Sequence, residues 1–389
     1  MRIERLVLRG FRNYAETEVR FAPETNVISG ENAQGKTNLL EAVYLLSGGK
    51  SFRTRFDREL IGFEKDSAEL EAEIFAQERQ QSLRILMRRG QAKQVWKNRV
   101  RQKSGELSEA LKAVLFSPDD LNLIREGPAA RRRLMDLAIC QLRPGYAALL
   151  SDYRRVYENK TRLLRDYRND PHLEDTFDAF SDTMARLSAK LIRYRASFAR
   201  RLGEAASPIH REFTAGGGEE RLEVRYRTVS TVTDCTASEQ TIYGKILEHQ
   251  RAHRQAEIAS GSCLTGAHKD DLEIDINARP ARSFASQGQT RTAALSIKLA
   301  EREIFLQETG EYPILLLDDV LSELDTRRQE FVLNRIGGGQ TLITCCEDEQ
   351  IAGRTGGRVL FIRNGALAEK PDGEENNHVS ASGKQRAGS

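Results

Sequence analysis

Eight consecutive residues carry the clearest chemistry in this sequence. Gly30-Glu31-Asn32-Ala33-Gln34-Gly35-Lys36-Thr37 fits the pattern G-x-x-x-x-G-K-[ST] at every position. Such a run suits a nucleoside triphosphate. Its glycines let backbone amides turn inward on phosphate oxygens. The loop opens a helix, and a helix N-terminus favours negative charge. Lys36 is expected to reach the β- and γ-phosphates, and Thr37 to give its hydroxyl to Mg²⁺. An apolar stretch, Thr25 to Ser29, precedes the loop as a strand should. The reading is an ATP or GTP site; the alternative is a chance Gly-rich turn.

A second motif lies far downstream. Pro313-Ile314-Leu315-Leu316-Leu317 runs into Asp318 and Asp319. An apolar run of this kind suits a buried parallel strand, and its C-terminal end is where α/β sheets bind ligands. Asp318 is the expected Mg²⁺ partner. Asp319 is the candidate for polarising an attacking water, which needs only hydrogen-bond reach. Read alone, the two acids could simply cap the strand and the next helix. Leu321-Ser322-Glu323-Leu324-Asp325 follows directly. Upstream, Ser286-Gln287-Gly288-Gln289 leads into a helix. That turn is a second anion-binding device, or else an ordinary capped helix start.

These motifs need a scaffold. The first thirty residues read as strands, and a helix is expected from Lys36 to Leu46. Further strands are expected at 67–76, 81–89 and 92–97, with Arg89-Gly90 as a hairpin tip. From Ala129 to about Leu202 helix formers dominate. Phe177, Phe180, Met184, Leu187, Leu191, Tyr194 and Phe198 recur at spacings of three and four, a packing stripe on one helix. Partner helices are expected at Tyr153–Arg168 and Ser238–Glu257. After Gly261 helices and strands alternate again. Helices at Thr290–Gln307 and Thr326–Ile336 flank strands at Ile314–Leu317, Thr341–Thr344 and Val359–Ile362, with a turn at Asn364-Gly365. The expected fold is α/β, with mixed β-sheets, a phosphate loop and an inserted α-helical subdomain. The domain reading is one head built from 1–125 and 261–370, a helical insertion at 126–260, and a disordered tail at 371–389.

Composition narrows the classes. Among 389 residues, 39% are apolar and 30% charged, which excludes global disorder. No apolar run approaches the roughly 18–20 residues that span a bilayer. No secretory segment opens the chain, so a cytoplasmic protein with no membrane partner is expected. Five cysteines with no CxxC pair argue against a disulfide framework or a zinc site. A net charge of +3 permits a nucleic-acid partner without implying one.

The order of phosphate loop, long gap, Ser-Gln-Gly-Gln turn, helix, Asp-Asp strand and Leu-Ser-Glu-Leu-Asp resembles the ABC-type ATPase heads. There, Ser-x-Gly-Gln is the signature motif and Leu-Ser-x-Leu-Asp the D-loop. Finer features resemble the RecF family within the ABC/SMC-like heads. They are Phe11-Arg12-Asn13-Tyr14, Gly30 through Ala42, Phe116-Ser117-Pro118-Asp119-Asp120-Leu121, Gly127-Pro128 with Arg131-Arg132-Arg133, Gly266 through Leu272, and Leu315 through Asp325. The resemblance implies ATP and Mg²⁺ as cofactors, with Gly30 through Asn38 lining the nucleotide. Ser286, Gly288 and Gln289 would close on the nucleotide of a second copy. It also implies an ATP-dependent homodimer that engages double-stranded DNA at single-strand gaps. Such a protein works with a RecR-type mediator to load recombinase, in DNA repair, replication and the SOS response. Weak, DNA-stimulated hydrolysis is expected; a clamp that holds ATP without turnover is the other reading. An SMC-like chromosome-structure head and a transporter-type ATPase subunit are the alternatives. The first would carry arms of several hundred residues. The second usually places a switch histidine where this chain has Cys345-Cys346.

The chain departs from the family at Ala267 and Lys269, where Pro and Arg are usual. Lys lacks the bidentate fork of Arg. His268 could face nucleotide or a second copy, or could lie in a surface loop. Arg12 and Asn13 are expected near the nucleotide. Arg131, Arg132, Arg133, Arg154, Arg155, Arg193, Arg195, Arg200 and Arg201 are available for DNA phosphates, or else form a solvated helical face.

Overall fold

The computed structural model describes residues 1–166, 174–215, 218–345 and 348–369. The expected tail at 371–389 and Cys346 lie outside them. Strands β1 (Arg2–Phe11), β2 (Tyr14–Arg20) and β3 (Thr25–Ser29) open the chain, and α1 (Lys36–Gly48) follows. Then come β4 (Ser67–Ala76), β5 (Arg79–Arg88), β6 (Gln94–Lys97), β7 (Val100–Gln102), the one-turn helix α2 (Leu107–Ala110) and β8 (Ala113–Phe116). The middle holds α3 (Pro128–Leu142), α4 (Tyr146–Asp166), α5 (Glu174–Thr214), β9 (Leu222–Arg227) and α6 (Glu239–Ser260). The last part holds β10 (Asp271–Ile276), β11 (Arg279–Pro280), α7 (Ala281–Phe284), α8 (Gln287–Thr309), β12 (Ile314–Asp318) and α9 (Thr326–Leu333). It ends with β13 (Thr341–Cys345), α10 (Asp348–Thr355), β14 (Arg358–Arg363) and β15 (Ala366–Ala368).

Three sheets result. The first is antiparallel, in the order β2-β1-β4-β5-β6-β7. Along β4, buried residues alternate with more open ones, as one covered face requires. The turn of the β4–β5 hairpin is Gln77-Glu78, both left-handed at φ 55° and 59°. Neither residue type announces such a turn. The second sheet is β11-β10-β9, so the helical middle contributes one strand to the α/β part. That strand was not foreseen in the sequence.

The third sheet, β15-β14-β3-β13-β12-β8, positions the site. Its strands from β14 to β8 are parallel. All five residues of β12 are buried, and its two faces feed two cores. Ile314 and Leu316 join the core that holds α1 and the antiparallel sheet. Leu315 and Leu317 join the core that holds α8 and the helical middle. Truncating one such leucine to alanine costs about 2–5 kcal/mol.

The stripe on α5 packs as expected at Phe177, Met184, Leu191 and Phe198. Tyr194 is the exception: it is 39% exposed and meets Tyr146 edge-on. The phenol tolerates water, so the stripe frays there.

Candidate nucleotide-binding site

The phosphate loop leaves the C-terminal end of β3, between β13 and β14. Gly30 takes φ 151°, and a Cβ there would lie 2.4 Å from the Ile362 carbonyl oxygen. Gly35 takes φ 117° and caps the start of α1. Ala33 is also left-handed, at φ 64°.

Two turns from the far ends of the chain hold this loop. From the β1–β2 turn, Asn13 Nδ2 donates to the Gln34 carbonyl at 2.8 Å, and Tyr14 OH to the Gly35 carbonyl at 3.0 Å. From the β14–β15 turn, the Gly365 amide donates to the same Gln34 carbonyl at 3.0 Å. The Asn364 amide donates to Gln34 Oε1 at 2.7 Å. Asn38 Nδ2 donates to Asn13 Oδ1 at 2.8 Å, and Arg53 donates to Asn38 Oδ1 at 2.7 Å. Buried Lys36 curls over the loop, its Nζ donating to the carbonyls of Gly30 (2.5 Å) and Glu31 (3.1 Å). Asn13 therefore touches the phosphate loop directly. Arg12 braces α1: both its Nε and Nη2 reach the fully buried Glu41 carboxylate at 2.9 Å.

The two carboxylates arrive from β12. Thr37 Oγ1 donates to Asp318 Oδ1 at 2.8 Å, joining residues 281 positions apart. Thr344, at the end of β13, donates to the same oxygen at 3.0 Å and accepts the Asp319 amide at 2.8 Å. Burial pushes the Asp318 carboxyl above its ordinary range; the Thr37 and Thr344 hydroxyls oppose that, and Asp319 adds to it. Asp319 is half-buried and left-handed, at φ 50°. Thr37 and Asp318 thus form an oxygen-only donor set beside a phosphate loop, which suits Mg²⁺.

The Ser286 turn is elsewhere. Ser286 caps α8: its Oγ accepts the Gln289 amide at 3.2 Å, and Gln289 Oε1 accepts the Ser286 amide at 2.8 Å. Gln289 Nε2 donates to Glu220 at 2.8 Å, and Glu220 faces the buried His210 at 3.2 Å. Arg328 of α9 donates to the Gly288 carbonyl at 3.0 Å. Arg291 donates to the Glu323 carbonyl at 3.0 Å, tying α8 to the Leu321–Asp325 stretch. Among the described residues no hydrogen bond joins the Ser286 turn to the phosphate loop.

Other sequence readings need correction. Arg131 and Arg195 are buried and so unavailable to DNA. Arg131 grips Asp271 through Nε (2.8 Å) and Nη2 (3.0 Å). Arg195 bridges Asp136 (2.9 and 3.0 Å) and Asp270 (3.0 Å). Arg154 and Arg193 are exposed. His268 is neither at the phosphate loop nor in an open loop. Its Nδ1 accepts the Tyr153 hydroxyl at 2.8 Å, and its Nε2–H donates to the Cys263 carbonyl at 3.0 Å. The carbonyl fixes the tautomer, since it can only accept. Lys269 is exposed, while Ala267 is buried and offers its carbonyl to Arg195 at 2.6 Å. Thr344, Tyr14, Glu220 and the Asn364-Gly365 clasp were missed by sequence reasoning. Only the Asn-Gly turn carried a local signal.

Comparison with known proteins decides the family. The RecF/RecN/SMC N terminal domain family model matches residues 2–359. DNA replication and repair protein RecF of Acetivibrio thermocellus is 38% identical over 364 residues, covering 93% of this chain and 98% of that protein. RecF of Lactobacillus johnsonii is 40% identical over 350 residues, covering 89% and 92%. This chain belongs to the RecF family of DNA replication and repair proteins. A solved structure described as recombination mediator protein RecF-ATPrS in the RecFOR pathway superposes with TM-score 0.87. It is 31% identical, over 94% of this chain and 97% of that one. A RecF-ATP structure gives 0.85 at the same identity. The Pyrococcus furiosus Smc head, 16% identical at TM-score 0.52, shares the fold. RecF-type function is thereby favoured over the SMC-like alternative. No helix among the described residues is long and apolar enough to cross a membrane.

Proposed function

We propose that this RecF-family protein binds DNA under the control of ATP. ATP is held by Gly30 through Asn38, with Lys36 on the β- and γ-phosphates. Mg²⁺ would be held by Thr37 and Asp318 and would neutralise phosphate charge. Asp319 orients water for slow, DNA-stimulated hydrolysis. Ser286, Gly288 and Gln289 close on the ATP of a second copy, which makes ATP the glue of a homodimer. The dimer engages double-stranded DNA at single-strand gaps and hands over to a RecR-type mediator in the cytoplasm. The head comprises 1–125 and 261–370, and the insertion at 126–260 serves as the DNA or partner arm.

The observation that carries the reading is the Thr37–Asp318 hydrogen bond, which brings the phosphate loop and the Asp-Asp strand to one point. The separation of the Ser286 turn from that point supports closure by a second copy. Sedimentation on gapped DNA, with and without ATP, tests it. ATP-dependent dimers on DNA are expected for the wild type and none for Lys36→Met. Dimers that form equally without ATP would refute it.

A further inference from the structure

A cavity of about 350 Å³ opens beside the Ser286 turn. Ile276, Asn277, Arg279, Phe284, Ala285 and Gln289 line it. Short, tightly turned elements build it. Asn277 and Ala278 are both left-handed, at φ 52° and 59°, so the chain reverses into β11 and brings Arg279 back beside Ile276. One helical turn later the chain presents Phe284, which is 68% exposed. Ile276 is buried and forms an apolar floor. Arg279 is exposed. The Gln289 wall is rigid, because both ends of its carboxamide are bonded, to the Ser286 amide and to Glu220.

These groups form a chemical set. An aromatic face, a guanidinium and an apolar floor suit a flat heteroaromatic ring: the ring stacks on the aromatic side and the guanidinium covers it. They stand immediately before an anion-binding turn at a helix N-terminus. A ligand with a flat ring at one end and phosphates at the other would satisfy both. We propose that this cavity receives the base and ribose of the ATP whose phosphates are held by a second copy of this chain. The proposal rests on the reading that the Ser286 turn closes on a partner's nucleotide. It adds a subsite that senses the base from across the dimer.

The test compares ATP with ribose 5-triphosphate, which lacks the base. Dimer formation is followed by sedimentation velocity over a titration of each. Phe284→Ala should raise the ATP concentration needed for dimers roughly tenfold, the usual effect of losing one base stack. The ribose triphosphate curve should stay in place. Monomer affinity for ATP should be unchanged, and Phe284→Trp should keep the wild-type ATP curve. Because Phe284 is exposed, the fold should tolerate these changes. Equal shifts with both ligands would mean that Phe284 touches protein rather than base, and would overturn the proposal. No shift with ATP would overturn it as well. A wild type that stays monomeric with saturating ATP would instead bring down the dimer reading, and this subsite with it.

Discussion

The hydroxyl of Thr344 stands between the two acids of the site, 3.0 Å from Asp318 Oδ1 and 2.8 Å from the Asp319 amide nitrogen. One oxygen therefore sets the direction of the Asp318 carboxylate and pins the left-handed turn that carries Asp319. Thr344→Val keeps the shape and removes both bonds. The half-buried Asp319 amide then loses its partner, at a cost of about 1 kcal/mol. Hydrolysis should fall at least tenfold and the Mg²⁺ requirement should rise, with Mg²⁺-free ATP binding nearly unchanged. Thr344→Ser should restore both. Single-turnover assays across a Mg²⁺ titration check this; a Val variant with wild-type Mg²⁺ dependence would remove Thr344 from the mechanism.

Ser286→Arg places a long cation on the turn that is proposed to meet another copy's phosphates. Monomer affinity for ATP should hold, because among the described residues no hydrogen bond joins the phosphate loop to this turn. ATP-driven dimers should disappear in analytical ultracentrifugation. Normal dimers would contradict closure in trans.

Gly365→Ala tests the clasp on the phosphate loop. Gly365 is left-handed at φ 71°, and a Cβ there would lie 2.2 Å from the Asn13 carbonyl oxygen. Backbone strain and the clash should cost about 2 kcal/mol or more. Because Gly365 and Asn13 both bond the Gln34 carbonyl, ATP affinity should fall along with the melting temperature. Calorimetry of both quantities checks it; unchanged ATP affinity would show that the loop stands without its clasp.

His268 gives a pH prediction. Burial pushes its imidazole pKa down to about 4 from an ordinary 6.5, and its bond to the Cys263 carbonyl only partly opposes this. A depressed folded value means stability that is present above pH 6.5 and lost as pH falls toward 4. That interval corresponds to about 3 kcal/mol. Asp270 works the other way: burial pushes its carboxyl up to about 6 from 3.8, so its contribution is lost as pH rises through 6. His268→Gln should flatten the urea-unfolding stability between pH 6.5 and 4 relative to wild type. Parallel curves would count against a buried neutral imidazole.

The arginines separate fold from DNA contact. Arg195→Met leaves the buried Asp136 and Asp270 carboxylates without their shared cation and should cost about 3–5 kcal/mol. Arg193→Glu, two residues away and exposed, should leave the melting temperature in place and weaken gapped-DNA binding. Fluorescence anisotropy together with thermal melts tests the contrast. DNA binding unaltered in Arg193→Glu would remove that face of α5 from the DNA surface.

The motifs that bind phosphate and metal were legible because their chemistry is local. A loop wraps phosphate with its own backbone, and β12 announces itself by an unbroken apolar run. What sequence could not show is who faces whom. Arg131 and Arg195 look like Arg193 in a string of letters, and only the fold brings Asp136, Asp270 and Asp271 against them. His268 was ambiguous for the same reason, since its partner Tyr153 comes from α4, 115 residues away. Gln77-Glu78 forms a tight hairpin turn without Gly or Asn, so pairing of the flanking strands overrides residue preference there. β9 hid inside a helical region because its partner β10 lies beyond α6.

The pairing of β3 sets a timetable for synthesis. Both neighbours of β3 in the sheet, β13 and β14, and the turn that clasps Gln34, come from residues 341–365. A nascent chain on the ribosome carries the phosphate loop early, with only the β1–β2 turn to hold it. The nucleotide pocket therefore cannot mature until residues 341–365 have been made and have paired, and a chain that has not reached them cannot compete for ATP.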